Sequence, residues 1–171
     1  MVVVTAGRLL AVGLLLAATA PAVFAAPGQR PAPGTTFGDW RVECETASAA
    51  RPLCALTQTQ LLKDSNARLL KISLGYIGSN GEPMLVAVTP LGIDLRRGVA
   101  VRADEGEPLA LTIVQCLQDG CIASTGLDER GVSALMKART LHLTLLPYGT
   151  AQTLTIPVSL KGITAGLGAL R

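Results

Sequence analysis

The chain has 171 residues, of which 49% are hydrophobic and 16% are charged, and its formal net charge at pH 7 is +3. This length suits one domain, and so small a net charge argues against a nucleic-acid binder, which would carry a clustered basic face. Aromatic residues make up only 3% of the sequence, too few for a platform that stacks bases or sugars.

The first 25 residues have the order of a secretory signal peptide. Arg8 is their only charged residue, residues 9–20 form an apolar run, and small residues surround Ala25. A membrane anchor is the alternative, since a spanning helix needs about 20 apolar residues, but Pro21 interrupts the run and no basic cluster follows it. We therefore predict cleavage after Ala25. Residues 26–171 would then be a periplasmic or secreted protein, with outer-membrane association as a further option and no transmembrane segment.

The remainder divides into a short tether and one β domain. Residues 26–36 are rich in proline and glycine, which predicts a flexible tether. Residues 37–171 alternate apolar and polar side chains in short runs between turn residues, which predicts about eight strands. The predicted strands are 39–44, 70–76, 84–89, 99–102, 109–116, 121–124, 141–145 and 154–160.

Three features of these strands carry further expectations. The run Met84–Thr89 is apolar throughout, so this strand is expected to be covered on both faces. Pro157 lacks a backbone N–H, which predicts an edge position or a bulge. Trp40, the only tryptophan, is predicted to lie in the core, the alternative being an exposed recognition residue. The preceding Gly38 and Asp39 are expected to be turn and surface residues rather than ligands.

Two helices are predicted. Asp128 is a suitable N-cap residue, and Val132, Leu135 and Met136 follow at the spacing of one helical face. A second helix over 163–170 is weakened by its interior glycines, each costing about 1 kcal/mol relative to alanine. The predicted fold class is therefore all-β: a single-domain antiparallel β-sandwich or barrel-like fold with one or two short packed helices.

All four cysteines follow the predicted cleavage site. An even number in an exported chain predicts disulfides, because exported proteins meet an oxidising environment. Of the three possible pairings we favour Cys44–Cys54 and Cys116–Cys121, since an Asp-Gly turn dipeptide lies between the last two cysteines. The spacings, with nine and four intervening residues, fit a structural zinc site poorly, and no C-x-x-C redox motif is present.

No residue pattern predicts a catalytic, cofactor-binding or metal site. His142 is the only histidine, and the alternation along its strand points it away from the leucines toward solvent. The carboxylates of Asp104, Glu105 and Glu107 lie close together, but their spacing departs from that of the known calcium loop, so a solvated turn is predicted. The dibasic pair Arg96-Arg97 beside a glycine also predicts a turn. We therefore expect no catalytic residue, no cofactor and no metal ligand.

Several motifs, taken in order, carry a family resemblance. They are Phe37-Gly-Asp-Trp40 followed by Cys44 and Cys54, Thr89-Pro-Leu-Gly-Ile93 with Leu95 and Gly98, Gln115-Cys116 with Gly120-Cys121, and Ile156-Pro-Val-Ser-Leu-Lys-Gly-Ile163. This ordered set resembles the invasion associated locus B family of exported bacterial proteins over nearly all of residues 37–170, although Ile163 stands where that family more often has Phe. The resemblance implies an envelope or secreted protein of a Gram-negative bacterium. One member is linked to host-cell entry, but many relatives occur in bacteria without a host, and the family has no established catalytic residues.

The sequence therefore predicts a non-enzymatic binding module of the cell envelope, acting in host-cell interaction or envelope maintenance. Its expected partner is an unknown envelope or host-surface protein, not a nucleic acid. The loops around Arg96-Arg97 and residues 104–107 carry opposite charge and are the candidate contact surfaces. The alternative is a periplasmic hydrolase whose carboxylates, drawn from Asp94, Asp104 or Glu107, meet only in the folded chain.

Overall fold

The computed structural model describes residues 30–45 and 52–171, and the predicted signal peptide lies outside the described residues. The elements are β1 (Thr36–Phe37), β2 (Trp40–Glu45), β3 (Leu53–Leu61), β4 (Arg68–Gly75), β5 (Met84–Thr89), β6 (Val99–Ala103), β7 (Leu109–Leu117), β8 (Gly120–Gly126), α1 (Glu129–Lys137), β9 (Thr140–Leu145), β10 (Leu154–Ser159) and α2 (Ile163–Leu170). The ten strands form one antiparallel sheet in the order β1-β2-β3-β4-β5-β8-β7-β6-β9-β10. Among the described residues no helix is both long and apolar enough to cross a membrane.

The sheet curls into a half-barrel around one hydrophobic core. Alternate residues of each strand face this core, because successive side chains of a strand point to opposite faces. In β9 these residues are Leu141, Leu143 and Leu145. Helix α2 packs on β3, where a Cβ at Gly166 would lie only 2.6 Å from Cδ1 of Leu56. A glycine at this position therefore lets the helix approach the sheet closely.

The two ends of the half-barrel meet where β2 begins and β10 ends. The indole N–H of Trp40 donates a 2.9 Å hydrogen bond to the carbonyl oxygen of Ser159, and Nε2 of Gln58 donates to the same oxygen at 3.1 Å. The backbone N–H of Asp39 donates to the carbonyl oxygen of Lys161 at 3.1 Å. Trp40 is buried and Asp39 is exposed, as the sequence predicts. We call the contact of residues 37–40 and Gln58 with residues 159–162 the closure seam.

The eight predicted strands are all present, with ends that differ from the prediction by at most two residues. Pro157 lies in β10, which is the edge strand of the sheet and pairs only with β9, so its predicted edge position is confirmed. Both predicted helices are present as well, and the Asp128 side chain accepts the backbone N–H of Gly131 at 2.7 Å as the N-cap of α1.

Strands β1 and β3 were not predicted. The buried part of β3 includes Thr57 and Gln58, whose polarity hides its alternation. These side chains are buried because each has a hydrogen-bond partner. Thr57 Oγ1 lies 3.1 Å from Oγ of Ser73, and Gln58 contributes to the closure seam.

Two expectations about buried faces are wrong. In β5 only Leu85, Ala87 and Thr89 are buried, and the intervening side chains are half-buried, because the outer face of the half-barrel is only partly covered. In α1 the buried stripe runs through Val132 and Leu135, whereas Met136 is exposed because it lies beside that stripe.

The last residues of the predicted tether contact the sheet. The backbone N–H of Gly34 donates to the carbonyl oxygen of Val42, and the N–H of Val42 donates to the carbonyl oxygen of Thr35, both at 2.8 Å. Strand β1 then begins at Thr36, one residue before the predicted start of the domain. The remainder of the predicted tether, residues 26–29, lies outside the described residues.

Candidate functional site

The four cysteines form the two disulfides favoured from sequence. Cys44 lies opposite Cys54 across the β2–β3 ladder with an S–S distance of 2.06 Å, and Cys116 lies opposite Cys121 across β7–β8 with an S–S distance of 1.99 Å. Each bond closes a short loop between neighbouring strands, which in the chain-entropy picture stabilises the fold by roughly 2–3 kcal/mol. The cysteines therefore have a structural role.

The carboxylate of Asp104 holds the connection between α1 and β9. Its oxygens accept the backbone N–H of Arg139 at 3.0 Å and that of Thr140 at 2.9 Å. These two hydrogen bonds lower the pKa of Asp104 below its ordinary value. In the same loop Glu105 forms a 3.1 Å ion pair with Arg102. The predicted turn is therefore not only solvated: through Asp104 it also stabilises the connection between α1 and β9.

The carboxylates considered for a hydrolase do not converge. Asp94 lies before β6 and Asp104 directly follows it, so the strand separates them. Glu107 lines a small hollow of about 70 Å³, and neither Asp94 nor Asp104 lines it. No group of three or more His, Cys, Asp and Glu side chains in the described ranges is arranged to hold a metal ion.

His142 lies on the outer face of β9, half-buried, as the alternation predicts. Its neighbours across the ladders are Arg102 of β6 and Pro157 of β10. Neither ladder neighbour is a nucleophile. The carboxylate of Asp104 lies near enough for charge interaction with His142, but its oxygens accept the backbone N–H groups of Arg139 and Thr140.

Two loops that are distant in sequence are joined at one end of the sheet. They are residues 90–98, between β5 and β6, and residues 146–153, between β9 and β10. The backbone N–H of Asp94 donates to the carbonyl oxygen of Leu146 at 2.8 Å, and the N–H of Tyr148 donates to the carbonyl oxygen of Gly92 at 2.7 Å. An isolated β-bridge between Ile93 and Pro147 completes the junction. The loops therefore hold each other in a fixed arrangement.

The joined loops expose three large apolar side chains, which we call the loop patch. Leu91 is 54% exposed, Leu95 is 55% exposed and Tyr148 is 73% exposed. The three side chains lie on loops whose backbones are hydrogen-bonded to each other, and exposed apolar groups gathered on one part of a surface are typical of interaction sites. The sequence singled out the dibasic turn in the first loop, but it did not reveal the second loop, because the two meet only through tertiary hydrogen bonds.

A groove of about 900 Å³ lies beside the loop patch, and we call it the arginine groove. Its charged lining residues are Asp94, Arg96 and Arg97, and Thr144 and Thr153 are among those that complete its walls. The predicted turn at Arg96-Arg97 is present and forms the rim of this groove.

Asp94 fixes the shape of the rim. Its carboxylate accepts the backbone N–H of Arg96 at 3.0 Å and the guanidinium of the same residue at 3.3 Å, and the Asp94 side chain is only 14% exposed. The hydrogen bond from the Arg96 guanidinium lowers the pKa of Asp94, and the charge of Arg97 acts in the same direction. The carboxylate is therefore ionised, and its hydrogen bonds are made within the turn.

A second hollow of about 810 Å³ lies between α1, the end of α2 and the β4–β5 connection. Met136 and Tyr76 line it, and Arg171 donates a 2.6 Å hydrogen bond to the Tyr76 hydroxyl while its guanidinium lies 5.5 Å from the centre of that ring. Arg171 thus forms part of the wall of this hollow.

Together, the fold and the site define an all-β, disulfide-linked domain whose joined loops present an apolar patch beside a cationic groove. The family model described as "Invasion associated locus B (IalB) protein" matches residues 40–171. The chain belongs to this family, as its motifs predict.

Individual relatives agree with this assignment. Two invasion protein B homologues, from Brucella abortus strain 2308 and from Brucella abortus biovar 1 strain 9-941, are each 29% identical to this chain over 136 residues, which is 80% of this chain and 78% of theirs. The crystal structure of invasion associated protein b from Bartonella henselae superposes with a TM-score of 0.70 at 24% identity, covering 80% of this chain and 92% of that one. That structural likeness shows the same fold.

Proposed function

We propose that this chain is an exported cell-envelope protein of a Gram-negative bacterium and acts as a non-enzymatic binding module. The predicted signal peptide and the two disulfides support export, because such bonds persist in oxidising compartments. Its place is the periplasm, the outer membrane or the medium. Its partner is an envelope or host-surface protein, and its role is in envelope maintenance or host-cell contact. The names of the Brucella and Bartonella relatives, which refer to invasion, support the second role.

The loop patch is the observation that carries this proposal. Leu91, Leu95 and Tyr148 are each more than half exposed, so their apolar surface is available to a partner. The hydrogen bonds between the two loops fix their backbone, so binding would cost little ordering entropy. Tyrosine is among the residues that dominate the energetic centres of protein interfaces, and Tyr148 is the most exposed of the three side chains.

Binding is favoured over hydrolysis by the role of the carboxylates. The carboxylate of Asp104 accepts hydrogen bonds that stabilise the connection before β9, and that of Asp94 accepts one that stabilises the turn at the arginine groove. Both are ionised hydrogen-bond acceptors with lowered pKa values, whereas a catalytic carboxylic acid needs a raised pKa.

In-cell photocrosslinking tests this proposal. A benzophenone amino acid placed at position 148 keeps an aromatic side chain in the loop patch and should capture a specific partner in the envelope. Replacing Leu91 and Leu95 together with serine should reduce that capture by roughly tenfold or more, because full burial of one leucine side chain contributes about 1.5–3 kcal/mol and about 1.4 kcal/mol is a tenfold change in affinity. The captured product is measured by immunoblot and identified by mass spectrometry.

Leu117→Ser is the matched control, because Leu117 is 55% exposed and lies at the end of β7 rather than in the joined loops. It should leave capture unchanged, and circular dichroism should show that all variants are folded. Equal capture by the control and by the Leu91/Leu95 double variant would contradict the role of the loop patch.

A further inference from the structure

The arginine groove has a different chemistry from the loop patch, because charged and hydroxyl-bearing side chains line it together with apolar ones. We propose that it binds a phosphate group carried by a ligand without an aromatic ring. This site does not depend on the protein partner proposed above, because different residues carry the two functions.

The balance of charge in the groove favours an anion. The charged groups that line the groove are the guanidinium groups of Arg96 and Arg97 and the carboxylate of Asp94. Their sum is one net positive charge. Asp94 forms its ion pair with Arg96. Within the described residues, Arg97 belongs to none of the ion pairs. Arg97 is therefore the guanidinium left to meet a ligand.

The backbone at the rim suits a close approach by that ligand. Gly98 follows Arg97 directly, has a φ of 70°, and an added Cβ would meet nothing within 4 Å, so no neighbouring atom crowds this part of the rim. The backbone N–H of Arg97 donates to the backbone carbonyl oxygen of Asp94 at 3.1 Å, and this hydrogen bond stabilises the turn. The groove therefore offers the guanidinium of Arg97, which belongs to no ion pair of the described residues, beside an open stretch of backbone.

Three threonines line the groove together with alanine and leucine side chains. Thr144, Thr150 and Thr153 all contribute to its walls. The hydroxyl of Thr150 donates to the carbonyl oxygen of Pro147 at 3.0 Å and so stiffens the second loop. Hydroxyl and guanidinium groups are common donors to phosphate oxygens, and the planar guanidinium can donate two parallel hydrogen bonds.

The remaining lining restricts what can carry the phosphate. The lining contains no aromatic side chain, so a nucleotide base would find no ring on which to stack. A volume of about 900 Å³ is within the usual range for small-molecule sites. A phosphorylated sugar, a glycerophosphate headgroup of a lipid and inorganic phosphate all share the required chemistry.

Substitutions at two positions should change phosphate affinity in opposite directions. Arg97→Gln removes the unpaired guanidinium and should weaken phosphate binding by roughly tenfold or more. Asp94→Asn keeps an oxygen that can accept the Arg96 N–H but removes the negative charge, so it should tighten binding by roughly threefold. A purely structural role for these residues would weaken binding in both variants.

Arg130→Gln is the matched control, because Arg130 is an exposed arginine of α1 far from the groove in the fold. Its phosphate affinity should equal that of the unaltered protein. Thr153→Val should weaken binding by roughly two- to tenfold through the loss of one neutral hydrogen bond.

Two measurements test this proposal. The first is an NMR titration of the ¹⁵N-labelled protein with inorganic phosphate, followed through the amide signal of Gly98. The second is a flotation assay with vesicles of phosphatidylglycerol in phosphatidylcholine. Saturable shifts that Arg97→Gln weakens and Arg130→Gln preserves would establish the site with free phosphate as a sufficient ligand. Binding only to phosphatidylglycerol vesicles, with the same dependence on Arg97, would establish it with a lipid headgroup as the source. No response to either probe, or an equal response in both arginine variants, would overturn the proposal.

Failure of this site and failure of the loop patch are distinguishable. The serine substitutions at Leu91 and Leu95 should leave phosphate affinity unchanged, and Arg97→Gln should leave the photocrosslinked product largely intact. Loss of phosphate binding in the leucine variant would show that the groove depends on the patch, and would overturn their independence.

Discussion

At the scale of single residues, two glycines decide whether the closure seam can form. Gly38 and Gly162 have φ angles of 58° and 92°, and a Cβ at Gly162 would lie 2.1 Å from the carbonyl oxygen of Phe37. Gly162→Ala should therefore destabilise the protein by at least about 1–2 kcal/mol, the cost of a left-handed backbone for an L-residue alone. The midpoint of urea denaturation measures this change.

A third glycine supplies the control for that prediction. Gly168 lies inside α2 and a Cβ there would meet nothing within 4 Å. Gly168→Ala should therefore stabilise the protein by roughly 0.5–1 kcal/mol, since alanine is the better helix former. Destabilisation of equal size at Gly162 and Gly168 would show that the seam is not the cause.

At the scale of elements, Asp104 joins the end of β6 to the connection between α1 and β9. Hydrogen bonds from the N–H groups of Arg139 and Thr140 lower its pKa. A carboxyl with a lowered folded pKa stabilises the fold above its unfolded pKa of about 3.9, and that stabilisation is lost as the pH falls through the folded value. Asp104→Asn should therefore lower the urea midpoint at pH 7, and its difference from the unaltered protein should shrink below about pH 4.

Glu107→Gln tests whether any acid in this loop would have the same effect. Glu107 lies with Asp104 in the connection between β6 and β7 but is not an acceptor for Arg139 or Thr140. Its substitution should leave the urea midpoint at pH 7 unchanged. A difference between Asp104→Asn and the unaltered protein that stays constant down to pH 2 would contradict the proposed linkage.

Also at this scale, the elements show which parts of the fold local pattern can predict. Strand β9 was predictable because one face is buried leucine and the other is polar, so period-two alternation is clear. Strand β3 was not, because Gln58 is buried against a carbonyl group 101 residues later in the sequence. The loop patch could not be predicted for the same reason. No local sequence pattern marks Leu91 or Tyr148, and only tertiary hydrogen bonds bring their loops together. The Cys116–Cys121 disulfide was predictable because an Asp-Gly turn between the two cysteines brings them opposite each other in neighbouring strands.

At the scale of the whole molecule, the closure seam makes the two ends of the sheet depend on each other. Strand β2 lies next to one edge of the ten-stranded sheet and β10 forms the other edge, yet Trp40 donates its indole N–H to Ser159 at the end of β10. Loss of either side would expose the core that both cover. We therefore expect the half-barrel to unfold as one cooperative unit rather than strand by strand.

Trp40 is the only tryptophan, so its fluorescence reports on the seam alone. Its emission should shift to longer wavelength on unfolding, since the side chain is buried in the folded chain. In urea this shift should coincide with the loss of far-UV circular dichroism, which reports on the whole sheet. Trp40→Ala should cost roughly 3–5 kcal/mol, and Trp40→Phe, which keeps a ring but loses the donor to Ser159, should cost less. A fluorescence change that precedes the circular dichroism transition would mean that the seam opens while the sheet remains folded, and would contradict a single cooperative unit.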